Sequence, residues 1–142
     1  LSTAYGRIFV ADSQDGRIGV LALDIYTEYE RPILRTFSLQ PFADMGTSMS
    51  VNSVELTMEP GVGNEAQPNP EIRMSTSVNG RKFNDPIPSL IGKIGEYNTR
   101  QIWRRLGRFP RLGVLLFEYS DPCRFIAVKL RMNVKQGAQR GR

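Results

Sequence analysis

Apolar and polar residues alternate with a period of two along most of this chain, and no long stretch repeats at the 3.6-residue period of a helix. The clearest case is Ser53 to Glu59, where Val54, Leu56 and Met58 share one face and Ser53, Glu55, Thr57 and Glu59 the other. That spacing fits a strand with one face buried, because successive side chains of a strand point to opposite sides. Turn residues punctuate the pattern throughout. The 13 glycines and 9 prolines suit a β protein with many turns. An antiparallel all-β domain of about eight strands with no major helix follows. Spacing alone leaves a sandwich and a propeller-like arrangement both open.

The expected elements follow in chain order. Arg7 to Ala11 predicts a short strand, with a turn at Gln14-Asp15-Gly16-Arg17. Ile18 to Tyr26 is apolar on both faces and predicts a central strand. Glu30-Arg31-Pro32 breaks the pairing, and Ile33 to Leu39 resumes it. Residues 41–50 read as a loop, and residues 60–70 as a long loop rich in Pro and Gly. Ile72, Met74, Thr76 and Val78 form the apolar face of a strand that ends in Asn79-Gly80, a strong signal for a tight hairpin. Residues 85–98 read as irregular, held by Ile87, Leu90, Ile91, Ile94 and Tyr97. Thr99 to Leu106 and Leu112 to Tyr119 predict a strand pair across the turn at 107–111. The run Val114-Leu115-Leu116-Phe117 marks the second as a buried central strand. Arg124 to Val134 predicts the last strand. The expected organisation is an all-β domain over residues 1–134 and a basic flexible tail over residues 135–142. The chain starts at Leu1 in what reads as mid-protein sequence, so it is expected to be the C-terminal part of a longer polypeptide.

Composition removes several kinds of chemistry. The sequence has no histidine, so a Ser-His-Asp triad cannot be built and the commonest general base is missing. Cys123 is its one cysteine, which excludes an internal disulfide and a cysteine-based zinc site. No glycine-rich phosphate loop or calcium-loop pattern is present. Glycosidase chemistry needs a spaced carboxylate pair, and nothing marks one among Asp12, Asp15, Asp24 and Glu28. No cofactor, metal or catalytic residue is therefore expected. No apolar run approaches the roughly 20 residues of a membrane helix, so no membrane partner is expected either.

Charge is unevenly placed. Residues 1–92 balance to −4 and residues 93–142 to +9. The segment Trp103-Arg104-Arg105-Leu106-Gly107-Arg108 concentrates an aromatic and three arginines. Alternation puts Trp103 and Arg105 on one face and Ile102, Arg104, Leu106 and Arg108 on the other, so no single face is purely basic. Arg and Trp are hot-spot residues of protein contacts. The cluster therefore points to a protein interface or an internal ion-pair network rather than to DNA. Ser77-Val78-Asn79-Gly80-Arg81-Lys82-Phe83 approximates the Asp-box turn of sialidase-like propellers, one residue short, with Asn79 in place of the acid and Phe83 in place of the Trp. Even in full form that motif is structural.

Taken in order, several of these words resemble the packaged-DNA stabilisation proteins of short-tailed, P22-like bacteriophages, the tail hub or nozzle subunits. They are Asp24-Ile25-Tyr26-Thr27-Glu28, Glu59-Pro60-Gly61-Val62-Gly63, the stretch from Pro70 through Phe83, Ile91-Gly92-Lys93-Ile94-Gly95-Glu96-Tyr97, Arg100, Trp103 to Arg108, and Ser120-Asp121-Pro122. The similarity spans roughly residues 18 to 134, and the block from Gly95-Glu96-Tyr97 to Leu106-Gly107-Arg108 is its most specific part. It implies a non-enzymatic virion protein, a homo-oligomer forming a hexameric ring in the phage tail and assembled in the host cytoplasm. It also implies contacts with the portal adaptor, the tail needle and the tailspikes, with packaged DNA near the channel and not read by sequence. Trp103, Arg104, Arg105, Arg108, Glu96, Tyr97, Asn79 and Gly80 are the candidate interface or structural residues. Two readings from other classes stay open. One is a carbohydrate-binding or sialidase-like module, and the other a nucleic-acid-binding β domain.

Overall fold

The computed structural model describes residues 1–43 and 47–137, and every described element is a strand. In chain order they are β1 (Ser2–Ala4), β2 (Arg7–Ala11), β3 (Ile18–Leu21), β4 (Thr27–Glu28), β5 (Arg31–Pro32), β6 (Arg35–Ser38), β7 (Phe42–Ala43), β8 (Met49–Met58), β9 (Glu71–Ser77), β10 (Ile87–Leu90), β11 (Gln101–Phe109), β12 (Leu112–Tyr119) and β13 (Ala127–Gln136). All pairings are antiparallel. The expected all-β class is found, but with 13 strand segments rather than about eight, because several are two-residue ribbons that alternation cannot detect.

Two sheets enclose the core. One has the order β11-β8-β13, and the other β10-β9-β12-β6 with β7 alongside β12. Their inner faces supply Val51, Val54, Leu56 and Trp103 from the first, and Ile72, Met74, Leu115, Phe117 and Tyr119 from the second, all buried. The layout is a sandwich, which settles the choice against a propeller blade. Aromatic contacts cross the middle. The Trp103 indole meets Phe117 edge-on at 5.6 Å, and Phe117 stacks on Phe37 at 4.9 Å. Such pairs add stability beyond their buried area. The indole N–H also donates to the Ile87 carbonyl at 2.8 Å, joining β11 to β10 of the opposite sheet.

Several expectations need correction. β11 and β12 do not pair with each other. β11 pairs with β8 and β12 with β9 and β6, so the residues between them carry the chain from one sheet to the other. Alternation reads the same for a hairpin and for such a sheet-to-sheet crossing. β3 is not central. It is the edge of a separate three-stranded sheet, β1-β2-β3, and Ile18, Leu21, Leu23 and Ile25 are exposed. Arg31-Pro32 does not break pairing, since β5 pairs with β4 across Tyr29-Glu30, where both residues have positive φ. A tight hairpin tolerates Pro at such a short edge. The region 85–98 contains β10, and of its expected anchors only Ile91 is buried. Within 41–50, β7 and the start of β8 replace parts of the expected loop, and residues 44–46 of it lie outside the described residues. β13 extends through Lys135 and Gln136 of the expected tail, while residues 138–142 lie outside the described residues.

Trp103 is 2% exposed and closes the seam between the sheets. Trp103→Ala is expected to lose about 3–5 kcal/mol of unfolding free energy, measured by denaturant titration. An unchanged midpoint would show that the indole does not hold the sheets together.

Candidate interaction surfaces

The turn at Asn79-Gly80 is a closed polar unit. The Ser77 hydroxyl accepts from the Gly80 N–H at 2.9 Å and lies 2.7 Å from the Lys82 carbonyl, to which it donates. The Asn79 side-chain oxygen accepts from the N–H groups of Arg81 at 2.9 Å and Lys82 at 3.0 Å, and Gly80 takes a φ of 71°. All these groups are used within the turn, so Asn79 and Gly80 shape the backbone. The tight hairpin is not formed, however. β9 ends at Ser77, β10 begins at Ile87, and Asn84 returns to β9 through two bonds to Thr76.

Glu96 and Tyr97 act in a similar local way. The Glu96 carboxylate accepts from the Lys93 N–H at 3.1 Å, and the Glu96 N–H donates back to the Lys93 carbonyl. The Tyr97 ring lies against Gly61, whose φ of 72° and lack of a side chain permit that approach. Loop 60–70 is thereby clasped to loop 91–99. It is tied down further where the Asn64 amide donates to the Pro122 carbonyl at 2.9 Å.

The arginine cluster divides. Trp103 is in the core, while Arg104 and Arg108 project from the opposite face of β11. Between them the register shifts. Arg105 adopts a φ of 58°, and Leu106 packs against the core instead of sharing the face of Arg104. The bulge is local, since Arg108 returns to the side of Arg104 and Phe109 to that of Trp103. Arg108 Nε donates to the Ser48 hydroxyl at 2.8 Å.

Pairing across three strands then builds a face that no one strand shows. Arg104 sits opposite Ser53, which sits opposite Asn133. Arg108 aligns with Ser50 and Lys135, and Ile102 with Glu55 and Arg131. Lys129 lies opposite Thr57. The outward side of this sheet thus carries Arg104, Arg108, Lys129, Arg131 and Lys135, all exposed. Of its carboxylates, Glu55 is held by Arg100 through Nε and Nη2 at 2.9 and 2.7 Å. Reading β11 alone missed this. The signal lay in Lys129, Arg131 and Lys135 alternating along β13, but their neighbours across the sheet are set by pairing with β8.

A second surface is apolar. In the β1-β2-β3 sheet, Phe9 and Val20 are opposed, as are Ala11 and Ile18, with Ile8 opposite Leu21 on the reverse side. Val20 is 45% and Ile18 68% exposed. Beside this sheet, Asp12 and Asp15 both bind Arg17, whose guanidinium lies 4.2 Å over the Tyr29 ring. A cavity of about 290 Å³ there is lined by Asp12, Arg17, Glu28 and Arg31. The two aspartates are committed to Arg17, so they do not form the free carboxylate pair of a glycosidase.

Compared with known families, residues 35–135 match the model described as bacteriophage P22 Gp10, beta-sandwich. The match runs from the start of β6 to Lys135 in β13 and leaves the β1-β2-β3 sheet outside. A search of curated proteins finds no match.

One buried pair is titratable. The Tyr119 hydroxyl is buried beside the Cys123 thiol, with which it interacts. Burial, followed by the neighbouring Cys123 and Asp121, pushes the Tyr119 pKa far up, and burial likewise raises the Cys123 thiol. Both neutral forms are favoured by folding. Their contribution is complete below the unfolded pKa values of about 8.5 for Cys and 10 for Tyr, and is lost as pH rises through the folded values. Tyr119→Phe is expected to lose less stability than the parent between pH 8 and pH 11 in denaturant titrations. Equal losses would contradict the assignment.

Proposed function

Because the chain belongs to the bacteriophage P22 Gp10 β-sandwich family, we propose that it is a structural subunit of the hub or nozzle in the tail of a short-tailed phage. In this reading it works by assembly and not by catalysis. Copies join in a ring, most simply a hexamer, that closes the portal channel and retains the packaged DNA. The ring docks the portal adaptor, the tail needle and the tailspikes. The protein resides in the virion tail after assembly in the host cytoplasm.

The observation that carries the reading is the β1-β2-β3 sheet. Ile18 and Val20 on one side and Leu21 on the other are exposed on a sheet separate from the two that enclose the core. Burying such surface is worth about 25 cal/mol per Å², and contiguous apolar patches mark contacts with other chains. A ring subunit has a use for this surface, with a second copy as its occupant. The sandwich supplies a rigid body to carry it. Its aromatic seam is complete within one chain, so assembly need not repair the core.

The candidate residues take structural parts in this reading. Trp103, Asn79, Gly80, Glu96 and Tyr97 fix the shape of the sandwich and its loops, while Arg104, Arg105 and Arg108 are presented outward.

Light scattering on the purified chain tests the proposal. The parent is expected to associate with rising concentration, and the Ile18→Asp/Val20→Asp variant to remain monomeric with its sandwich melting transition intact. A parent that stays monomeric at every concentration, or a variant that associates as the parent does, would contradict the role given to this sheet.

A further inference from the structure

We propose that the outward face of the β11-β8-β13 sheet binds the phosphate backbone of duplex DNA without reading its sequence. The face presents Arg104 and Arg108 on β11, and Lys129, Arg131 and Lys135 on β13, on either side of β8. Among the described residues, Arg104, Lys129, Arg131 and Lys135 have no ion-pair partner, and the two carboxylates on this side, Glu55 and Glu59, are paired with Arg100 and Arg124. Cations left unanswered across a whole sheet face create a positive potential that attracts a polyanion.

The chemistry between the cations fits phosphate. Ser50, Ser53, Thr57 and Asn133 share the face and offer hydroxyl and amide donors. Outward residues two apart on a strand stand about 6.7 Å apart, and neighbouring strands about 4.8 Å. The cations thus form a two-dimensional array. The face carries no aromatic side chain, since Trp103 and Phe109 of β11 point into the core. Stacking on exposed bases, the usual way to hold single strands, is therefore not provided. Backbone contact without base readout remains.

The same features disfavour an acidic protein as the occupant. Protein interfaces are enriched in aromatic residues and Arg and depleted in Lys at their centres; this face shares the arginines but has two lysines, no aromatic and one apolar residue, Ile102, in its rows. Edge protection is the bland alternative, because charges on edge strands deter unwanted pairing. The edges of the opposite sheet, however, are not guarded this way. β10 has no charge, and in β6 Arg35 bonds the carbonyls of Tyr26 and Asp121. On that sheet Arg73 is ion-paired with Glu71, at 2.8 Å.

The inference depends on the tail-hub reading for the presence of DNA nearby, whereas its test does not. Fluorescence anisotropy of the purified chain with a short labelled duplex, titrated from 50 to 200 mM salt, measures affinity and its salt slope. Arg104→Gln/Arg131→Gln/Lys135→Gln is compared with Arg81→Gln/Lys82→Gln/Lys93→Gln, which removes the same charge from exposed sites elsewhere. The face variant is expected to bind about 30-fold more weakly at 50 mM salt and to lose about three from the slope of log K against log salt. The control is expected to stay within about threefold of the parent, and two unrelated duplex sequences to bind alike. Should the triple variant melt early, Lys129→Gln/Lys135→Gln serves instead, with a slope loss of about two. Equal weakening by face and control variants, no binding by the parent at 50 mM salt, or displacement by polyglutamate as effective as by unlabelled duplex would overturn the proposal. Failure of ring formation would appear in light scattering and leave these slopes unchanged.

Discussion

The indole of Trp103 holds the two sheets in one relation, and the rest of the sandwich is arranged around that contact. Its ring meets Phe117 of the opposite sheet, and its N–H is satisfied by the Ile87 carbonyl. A buried indole needs a partner for its N–H, and β10 is placed where it supplies one. Phe117 passes the packing on to Phe37. Phe125 is tilted against Phe37 and stacked on Tyr119, which extends the aromatic seam to the far edge. The two sheets therefore share one continuous core.

Register turns this packing into surface. β8 pairs along its length with both β11 and β13, and its buried Val54 and Leu56 decide which way their neighbours face. A one-residue slip would exchange the inner and outer sides. Trp103 and Phe109, an even number of residues apart, both point inward across the bulge at Arg105, where Leu106 also turns toward the core. In β13 the register also shifts between Ala127 and Lys129, which sets Val128 outside the regular ladder. Pairing of both edge strands with β8 brings their cations to the same side.

The sequence was most legible where one strand met one core. Val54, Leu56 and Met58 face inward as their alternation requires, and the apolar run Val114 to Phe117 lies in a strand flanked on both sides. It was least legible where the outcome depended on distant partners. Ile18 to Tyr26 has the composition of a central strand, yet its first part, β3, is the exposed edge of a separate sheet. The crossing from β11 to β12 resembles a hairpin in sequence, and only the partners of each strand distinguish the two. Arg104 and Lys135 are separated along the chain, so their shared face was invisible until pairing with β8 joined them. The family resemblance drawn from short ordered motifs agrees with the family match over residues 35–135.

Two kinds of surface on one scaffold suit a part whose work is to connect other parts. The apolar sheet offers binding through water exclusion, which tolerates salt, and the basic face offers long-range attraction, which does not. Rotationally averaged electron images of the intact tail, with this chain marked by a bound antibody fragment, test the central claim most directly. The account predicts six marks in a ring around the channel axis. Marks that lie off the tail, or a chain found only as a free monomer, would contradict it.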